Sequence, residues 1–266
     1  MKHIFTTITI TALTLLAVLS GCKKNEPVNS TVKDICGNSY KYVKIGEQYW
    51  MAENMRCNKY DTESGRAGAT IPTSSSFFEP YYKDASDWSK WETTEYSLNL
   101  TDEQVSKLGY LYSWAAAVGL GTAEQAISQT SGFNGNRQGI CPNGWHVPTT
   151  AEWDVLGVAL GGVEDKYGFP IVGRKLKATS GWYISGKYAN VNGTDDYSFA
   201  ALPAGYEPDD GIILDVGLYA NFWTATPDKE DYECADGRYM NYSSDYLAHD
   251  FHFLKDYALS VRCVKD

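Results

Sequence analysis

CPNGWHVPTTAEW, residues 141–153, is the most informative motif of the sequence. Thr149 and Glu152 fit a capping box, in which the Thr149 hydroxyl accepts from the Glu152 amide and the Glu152 carboxylate accepts from the Thr149 amide. A helix is therefore predicted to begin after Thr149. Its apolar residues fall on one face: Trp153, Leu156 and Leu160. Gly161-Gly162 is predicted to end the helix.

A β-hairpin is predicted on the N-terminal side of this helix. Tyr40–Ile45 and Gln48–Ala52 are rich in tyrosine, valine and isoleucine, and Gly46-Glu47 separates them as a turn. Short apolar runs between glycine, asparagine and aspartate predict later strands: Phe199–Leu202, Asn221–Ala225 and Ala258–Cys263.

Three further helices are expected in the first half of the chain. Thr101–Gln104 and Thr122–Gln125 fit capping boxes, and Gly109–Ala117 is typical of a small-residue helix packed close to its neighbours. Residues 61–107 are polar and rich in loops. The pattern predicts an α+β fold, with a few short helices and an irregular, mostly antiparallel sheet. No internal repeat and no second linker occurs, which favours one domain.

The composition limits the partners of this chain. Its formal net charge of −10 argues against nucleic acid and against electrostatic binding to anionic lipid. Aromatic residues make up 14% of the sequence, including 20 tyrosines and 8 tryptophans. Such rings fill cores, stack on sugars and anchor interfaces, so composition does not choose among these roles.

The N-terminus resembles the export signal of bacterial lipoproteins. Lys2 precedes an apolar segment, Ile4–Leu19, which is too short for a comfortable membrane span. Leu19-Ser20-Gly21-Cys22 then resembles a lipobox, which implies cleavage after residue 21 and acylation of Cys22, with palmitate for example. Residues 22–33 form a polar, lipidated tether. Two or three acyl chains would anchor the protein stably.

The residues after Cys22 favour the outer membrane. Lys23 and Lys24 do not resemble the aspartate that retains lipoproteins in the inner membrane. Only Glu26 provides the early acidic residue typical of surface export, so the surface-exposed and periplasm-facing leaflets both stay open.

Five cysteines remain once Cys22 is assigned to lipid. Cys36 and Cys57 flank the predicted hairpin, and strand pairing brings its ends together, so a bridge between them is geometrically feasible. An odd number leaves at least one thiol free or paired outside the chain. The sequence has no CxxC pair, which argues against a zinc ribbon or a thioredoxin-type site.

Six motifs, in this order and spacing, resemble the Fibrobacter succinogenes major paralogous domain. They are Tyr49–Met55, Gly109–Ala115, Cys141–Trp153, Ala200–Tyr206, Phe222–Ala225 and Ser260–Asp266. The resemblance covers residues 34–266. It is weakest over 61–107 and 226–250.

These motifs are in turn similar to the fold that C-type lectins share with formylglycine-generating enzymes. The resemblance implies two helices, a small twisted sheet, adjacent termini and long loops on one face. It also implies a disulfide between Cys141 and Cys263, which leaves Cys234 as the odd thiol. The sequence around Cys234 does not resemble the oxidase active site, so that chemistry is not expected.

The lectin resemblance suggests calcium, although the motif is incomplete. Glu207-Pro208-Asp209-Asp210 is similar to the calcium-binding and sugar-binding turn, and a solvated acidic turn is the plainer interpretation. Trp223-Thr224-Ala225 lacks the asparagine and aspartate of the second element, so no cofactor is assigned.

Other candidate ligands have plainer explanations. Asp195-Asp196 and Asp215 are acidic loop residues of an acidic protein, and His249 and His252, three apart on a strand, would face opposite sides. His146 is expected to be a hydrogen-bonded structural residue. Aromatic residues of the variable segment are better candidates for a binding surface: Trp88 and Trp91.

We therefore expect an exported lipoprotein with a non-catalytic domain that binds a glycan or a protein partner. A structural component of a cell-surface assembly or adhesin is the first alternative. An uncharacterised enzyme is the second, although the sequence has no serine-hydrolase elbow, phosphate loop or HExxH motif.

Overall fold

The structure is a computed structural model that describes residues 30–61, 68–71, 77–78, 106–120, 137–183, 192–208 and 213–266. The predicted signal sequence, most of the predicted tether and the predicted capping boxes at Thr101 and Thr122 lie outside the described residues. Within the described part, no helix is long and apolar enough to cross a membrane.

A five-stranded sheet contains the predicted hairpin. Its strands are β1 (Thr31–Lys33), β2 (Ser39–Ile45), β3 (Gln48–Met51), β6 (Trp145–His146) and β12 (Val264–Lys265). Their order is β1-β2-β3-β12-β6, and every pairing is antiparallel. The first described strand and the last strand of the chain therefore belong to one sheet. The antiparallel pairing of β2 with β3 confirms the predicted hairpin.

A seven-stranded sheet contains the remaining strands. They are β4 (Phe77–Phe78), β5 (Leu111–Ser113), β7 (Gly168–Phe169), β8 (Tyr219–Pro227), β9 (Cys234–Asn241), β10 (Leu247–Leu254) and β11 (Ala258–Ser260). Their order is β4-β5-β11-β8-β9-β10-β7. Only β11 and β8 pair in parallel among these described strands, through Ser260 and Phe222. The described chain thus has two sheets, where the sequence suggested one small sheet.

Three short helices are described: α1 (Trp114–Val118), α2 (Thr150–Ala159) and α3 (Val172–Leu176). The capping box at the start of α2 is confirmed, because Thr149 and Glu152 exchange both side-chain to backbone hydrogen bonds. The α+β class is confirmed, with one more helix than the two implied by the lectin resemblance.

Two local predictions are wrong. The segment Gly109–Ala117 is not one helix, because Leu111 and Ser113 pair with β11 and the Ser113 hydroxyl caps α1 only afterwards. The segment Phe199–Leu202 is not a strand, because Ala201 makes only an isolated bridge to Lys177. In both places tertiary contacts override the local sequence pattern.

Aromatic residues from both sheets and from α2 form one core cluster. The ring centroids of Trp50 and Trp153 lie 4.6 Å apart. Trp153 also packs against Phe199 and Phe222 at 6.0 and 5.5 Å. All four side chains are fully buried. Trp50 and Trp153, which belong to the sequence motifs, therefore serve packing.

Two disulfides join the chain, and one described thiol remains. Cys36 bonds to Cys57 and Cys141 bonds to Cys263. Cys234 is free and buried. Burial raises the pKa of the Cys234 thiol to about 11, which suppresses its reactive thiolate form. The two pairings are those expected, and Cys234 is the odd thiol.

The two disulfides should differ in their contributions to stability. Cys141–Cys263 spans 122 residues and Cys36–Cys57 spans 21. In the chain-entropy model, replacing the first pair by alanines should cost about 5 kcal/mol, and replacing the second about 3 kcal/mol. Urea unfolding of the two double variants measures this, and an equal or reversed cost would contradict it.

Candidate functional site

Four of the residues proposed as ligand contacts lie outside the described residues: Trp88, Trp91, Asp209 and Asp210. The fifth, Glu207, is fully buried. Its backbone exchanges hydrogen bonds of 3.0 and 2.8 Å with Ala258 in β11. Glu207 is therefore inside the fold, and the solvated turn expected at this residue is wrong.

His249 and His252 do not share a site. The Nδ1 of His249 lies 3.5 Å from Glu164, whereas the Nε2 of His252 lies 3.7 Å from Asp228. The two imidazoles therefore have separate carboxylate partners, as the strand spacing predicted.

His146 joins the last strand to the start of α2. Its Nδ1 lies 2.6 Å from Oδ1 of Asp266, and its Nε2 lies 2.7 Å from Oε1 of Glu152. Burial lowers the pKa of His146, but the hydrogen bonds and charges of the two carboxylates outweigh it, so the pKa is raised above 6.5. The pKa of Glu152 is lowered from 4.5, because His146 and Thr149 outweigh burial. His146 therefore has the structural role expected.

A cleft of about 170 Å³ opens beyond the end of the hairpin. Its walls carry side chains of both charges and two hydroxyls: Glu53, Lys107, Thr179, Ser180 and Asp195. Its apolar lining comes from small and aliphatic residues: Ala52, Ala178, Ala200 and Leu202. Segments distant in sequence thus meet around one depression.

A fully buried arginine, Arg262, bonds to residues that adjoin the cleft lining in sequence. The guanidinium of Arg262 donates from Nε and Nη2 to Oδ1 of Asn54, at 3.0 and 2.6 Å. Its Nη1 donates to the carbonyls of Met51 and Phe199, at 3.2 and 2.5 Å. Arg262 also lies over the Phe199 ring, 4.4 Å from its centroid. These bonds fix Met51 and Asn54, which flank the cleft residues Ala52 and Glu53, and Phe199, which precedes Ala200.

Asn54 extends the same hydrogen-bond network to the segment that contains the cleft residue Lys107. Its Nδ2 donates to the carbonyl of Leu108 at 2.8 Å and to Oγ of Ser260 at 3.3 Å. Leu108 adjoins Lys107, so the Asn54 amide links the hairpin end to the lysine segment and to β11.

The wall at residues 195–200 holds unusual backbone conformations. The φ values of Asp195, Ser198 and Ala200 are 47°, 56° and 51°. Residues other than glycine rarely adopt this region. The Asp195 carboxylate stabilises this turn by accepting from the Ala200 amide at 2.8 Å. Backbone strain of this kind persists where surrounding contacts enforce it, often at functional sites.

Electrostatics single out Asp195 among the cleft residues. Burial raises the pKa of its carboxyl to about 6, although the Ala200 amide and the charge of Arg262 act in the opposite direction. Burial likewise lowers the pKa of Arg262 to about 9. A carboxyl in a cleft with a raised pKa is a candidate binding or proton-transfer group.

The sequence does not predict this cleft. Asp195 is one acidic loop residue among several, and Asn54 and Arg262 stand out only as members of motifs. One clue was present, because an arginine within the apolar strand motif Ser260–Asp266 predicts a buried charge that needs polar partners.

The two sheets, the short helices and the arginine-supported cleft define a loop-rich α+β domain. Residues 43–265 match the family described as the Fibrobacter succinogenes major domain. Because the match covers most of the sequence, the chain belongs to this family, which confirms the resemblance found in its motifs. No curated protein and no solved structure matches the chain.

Replacing Arg262 should destabilise the domain strongly. Arg262→Met leaves the Asn54, Met51 and Phe199 oxygens without their donor, and each buried polar group left unsatisfied costs about 1–3 kcal/mol. The matched control is Arg174→Met, since the Arg174 side chain is half exposed and its Nη1 lies as far as 4.0 Å from Oδ2 of Asp245. That change should cost under about 1 kcal/mol. Equal urea midpoints for the two variants would contradict this.

The His146 contacts should make stability depend on pH. The raised pKa of His146 contributes stability below pH 6.5 that is lost as pH rises through the folded-state pKa. The lowered pKa of Glu152 contributes stability above pH 4.5 that is lost on acidification. His146→Gln should therefore cost most between these values, about 1–2 kcal/mol, and less above pH 8.

Urea unfolding of wild type and His146→Gln from pH 4 to pH 9 measures this difference. His252→Gln serves as the control, because the His252 side chain is exposed. A cost for His146→Gln that stays constant over the whole range would refute the assignment.

Proposed function

We propose that this chain is an exported lipoprotein, anchored through lipid on Cys22, whose domain binds a glycan without catalysis in the cleft at Asp195. The observation that carries the proposal is the combination of carboxylates, hydroxyls and an ammonium around one open depression. The lipid anchor and the outer-membrane location are supported by the sequence around Cys22.

The chemistry of the cleft suits a polyhydroxylated ligand. Sugar hydroxyls donate and accept, so they pair with carboxylates such as Glu53 and Asp195 and with donors such as Lys107. The Thr179 and Ser180 hydroxyls can each donate or accept a hydrogen bond. The small apolar residues of the lining leave space for the C–H faces of a sugar ring.

The surrounding structure holds these groups in place before a ligand arrives. Arg262 fixes the carbonyls of Met51 and Phe199, and Asn54 fixes that of Leu108. Each of these carbonyls lies within two residues of a cleft side chain in sequence. A preformed site loses less conformational entropy on binding, which favours affinity for a small, flexible ligand.

The C-type-lectin-like architecture remains part of this proposal, and calcium is not required by it. A protein partner and a structural role in a surface assembly are the broader alternatives. The cleft favours a glycan over both, because its volume of about 170 Å³ fits one or two small groups of a ligand better than a protein surface.

Asp195→Asn should weaken glycan binding about tenfold or more, because the ligand loses a charged acceptor whereas the amide oxygen can still accept from Ala200. With a pKa of about 6 for Asp195, wild-type affinity should fall as pH drops below 6, and the variant should be insensitive. A glycan array followed by calorimetry at pH 5 and pH 7.5 measures both effects.

Asp196→Asn is the matched control, since Asp196 is exposed and does not line the cleft. Silence on all glycans, with or without calcium, would reject the proposal. Hydrolysis at the same cleft is a second candidate, favoured by the raised pKa of Asp195 in a cleft that Glu53 also lines. If the wild type, but not Asp195→Asn, released shortened products from a bound glycan, hydrolysis would be assigned to the cleft.

A further inference from the structure

Exposed apolar side chains concentrate on α2 and on the connection that follows it. Among the described residues, seven large apolar side chains are exposed, and five of them lie between positions 155 and 171. The five are Val155, Val158, Val163, Tyr167 and Ile171. We call them the apolar face. The connection folds back on α2, because Phe169 packs against Gly157 so closely that a side chain there would clash.

Backbone strain holds one member of the apolar face in solvent. Ile171 has a φ of 63°, which is a genuine outlier for a β-branched residue. It precedes α3 without forming a side-chain capping bond, and its side chain is 55% exposed. A strained backbone that presents an isoleucine to water indicates a surface with a partner.

The topology places the apolar face where the tether enters the domain. Strand β1 is antiparallel to β2, with Thr31 opposite Lys41 and Lys33 opposite Ser39. β1 therefore runs away from the hairpin turn, and the chain enters the sheet from the turn's side. Gly46 in that turn packs on α2, since a side-chain carbon there would lie 2.8 Å from Cβ of Ala159.

The tether is short enough to keep this end of the domain near the lipid. Only seven residues, 23–29, lie between Cys22, the proposed acylation site, and the first described residue, Ser30. The eight steps from Cys22 to Ser30 span at most ~28 Å when fully extended. The cleft residue Glu53 follows β3 and so lies at the opposite end of the hairpin from the turn.

The acidic side chains beside the apolar face already have partners within the domain. Asp154 pairs with the buried Arg238, and Glu164 lies 3.8 Å from the same guanidinium. Asp165 accepts from the Tyr246 hydroxyl at 2.9 Å. The ammonium of Lys166 lies over the Tyr167 ring, a pairing suited to the headgroup region. Charge therefore opposes contact with lipid less than the net charge suggests.

We propose that the apolar face rests on the bilayer that carries the lipid anchor, with the cleft directed away from it. The proposal depends on the lipid anchor in the proposed function and assigns the domain a fixed orientation. The partner is the interfacial region of a lipid surface, which accepts valine, isoleucine and tyrosine side chains with little penalty. The Cys22 lipid makes this contact intramolecular, so a weak affinity is sufficient.

Fluorophore quenching in proteoliposomes tests the orientation. Lipidated protein carrying Val158→Cys or Val163→Cys is labelled with an environment-sensitive dye and reconstituted with spin-labelled phospholipid. Quenching at both positions should be at least threefold stronger than at Tyr232→Cys, since Tyr232 is exposed but lies outside the apolar face. The buried thiol of Cys234 should remain unlabelled, which unsubstituted protein verifies.

Two results would overturn the contact. One is equal quenching at positions 158, 163 and 232. The other is a stable dimer of the unlipidated domain that is dissociated by Val158→Glu, which would assign the face to a second copy of the chain. Mass spectrometry of the N-terminal peptide reports acylation of Cys22 separately, so failure of the anchor is distinguished from failure of the contact.

Discussion

The structure depends on one buried charge, the guanidinium of Arg262, which makes four hydrogen bonds to neutral oxygens. Desolvating a cation is expensive, and only a complete set of acceptors offsets the cost. Here the acceptors come from Asn54 and from the carbonyls of Met51 and Phe199. Because these residues are far apart in sequence, satisfying the arginine requires the hairpin end, the strained turn and the last strand to be in place together. The same requirement assembles the cleft.

Much of the fold follows from local patterns that can be recognised in the sequence alone. The capping box at Thr149 is a short-range signal, because its two hydrogen bonds join residues three apart. The hairpin is equally local, and it brings Cys36 close enough to Cys57 for their bridge. The Cys141–Cys263 disulfide spans most of the domain, so the resemblance to a known fold was needed to indicate it.

The cleft could not be predicted in this way, since its residues meet only through tertiary contacts. Asp195 is one of many acidic loop residues in the sequence, and only the turn that positions its carboxylate against the Ala200 amide distinguishes it. Glu207 illustrates the converse error. Its acidic neighbours suggested a solvated turn, whereas its backbone pairs with Ala258 inside the fold. The start of α1 is set by the same kind of contact, because pairing of Leu111 with Ser260 extends the sheet into a segment with helical composition.

The buried thiol of Cys234 has a consequence for how the disulfides of the protein form. Disulfides exchange by attack of a thiolate on an existing bridge, so a thiol that stays protonated does not take part. Once β9 is packed, burial keeps Cys234 in that state. A chain oxidised after β9 has packed would present only four reactive cysteines. A chain oxidised before β9 packs would present five. Correct pairing thus depends on the order of two events, with packing of the central strands ahead of oxidation.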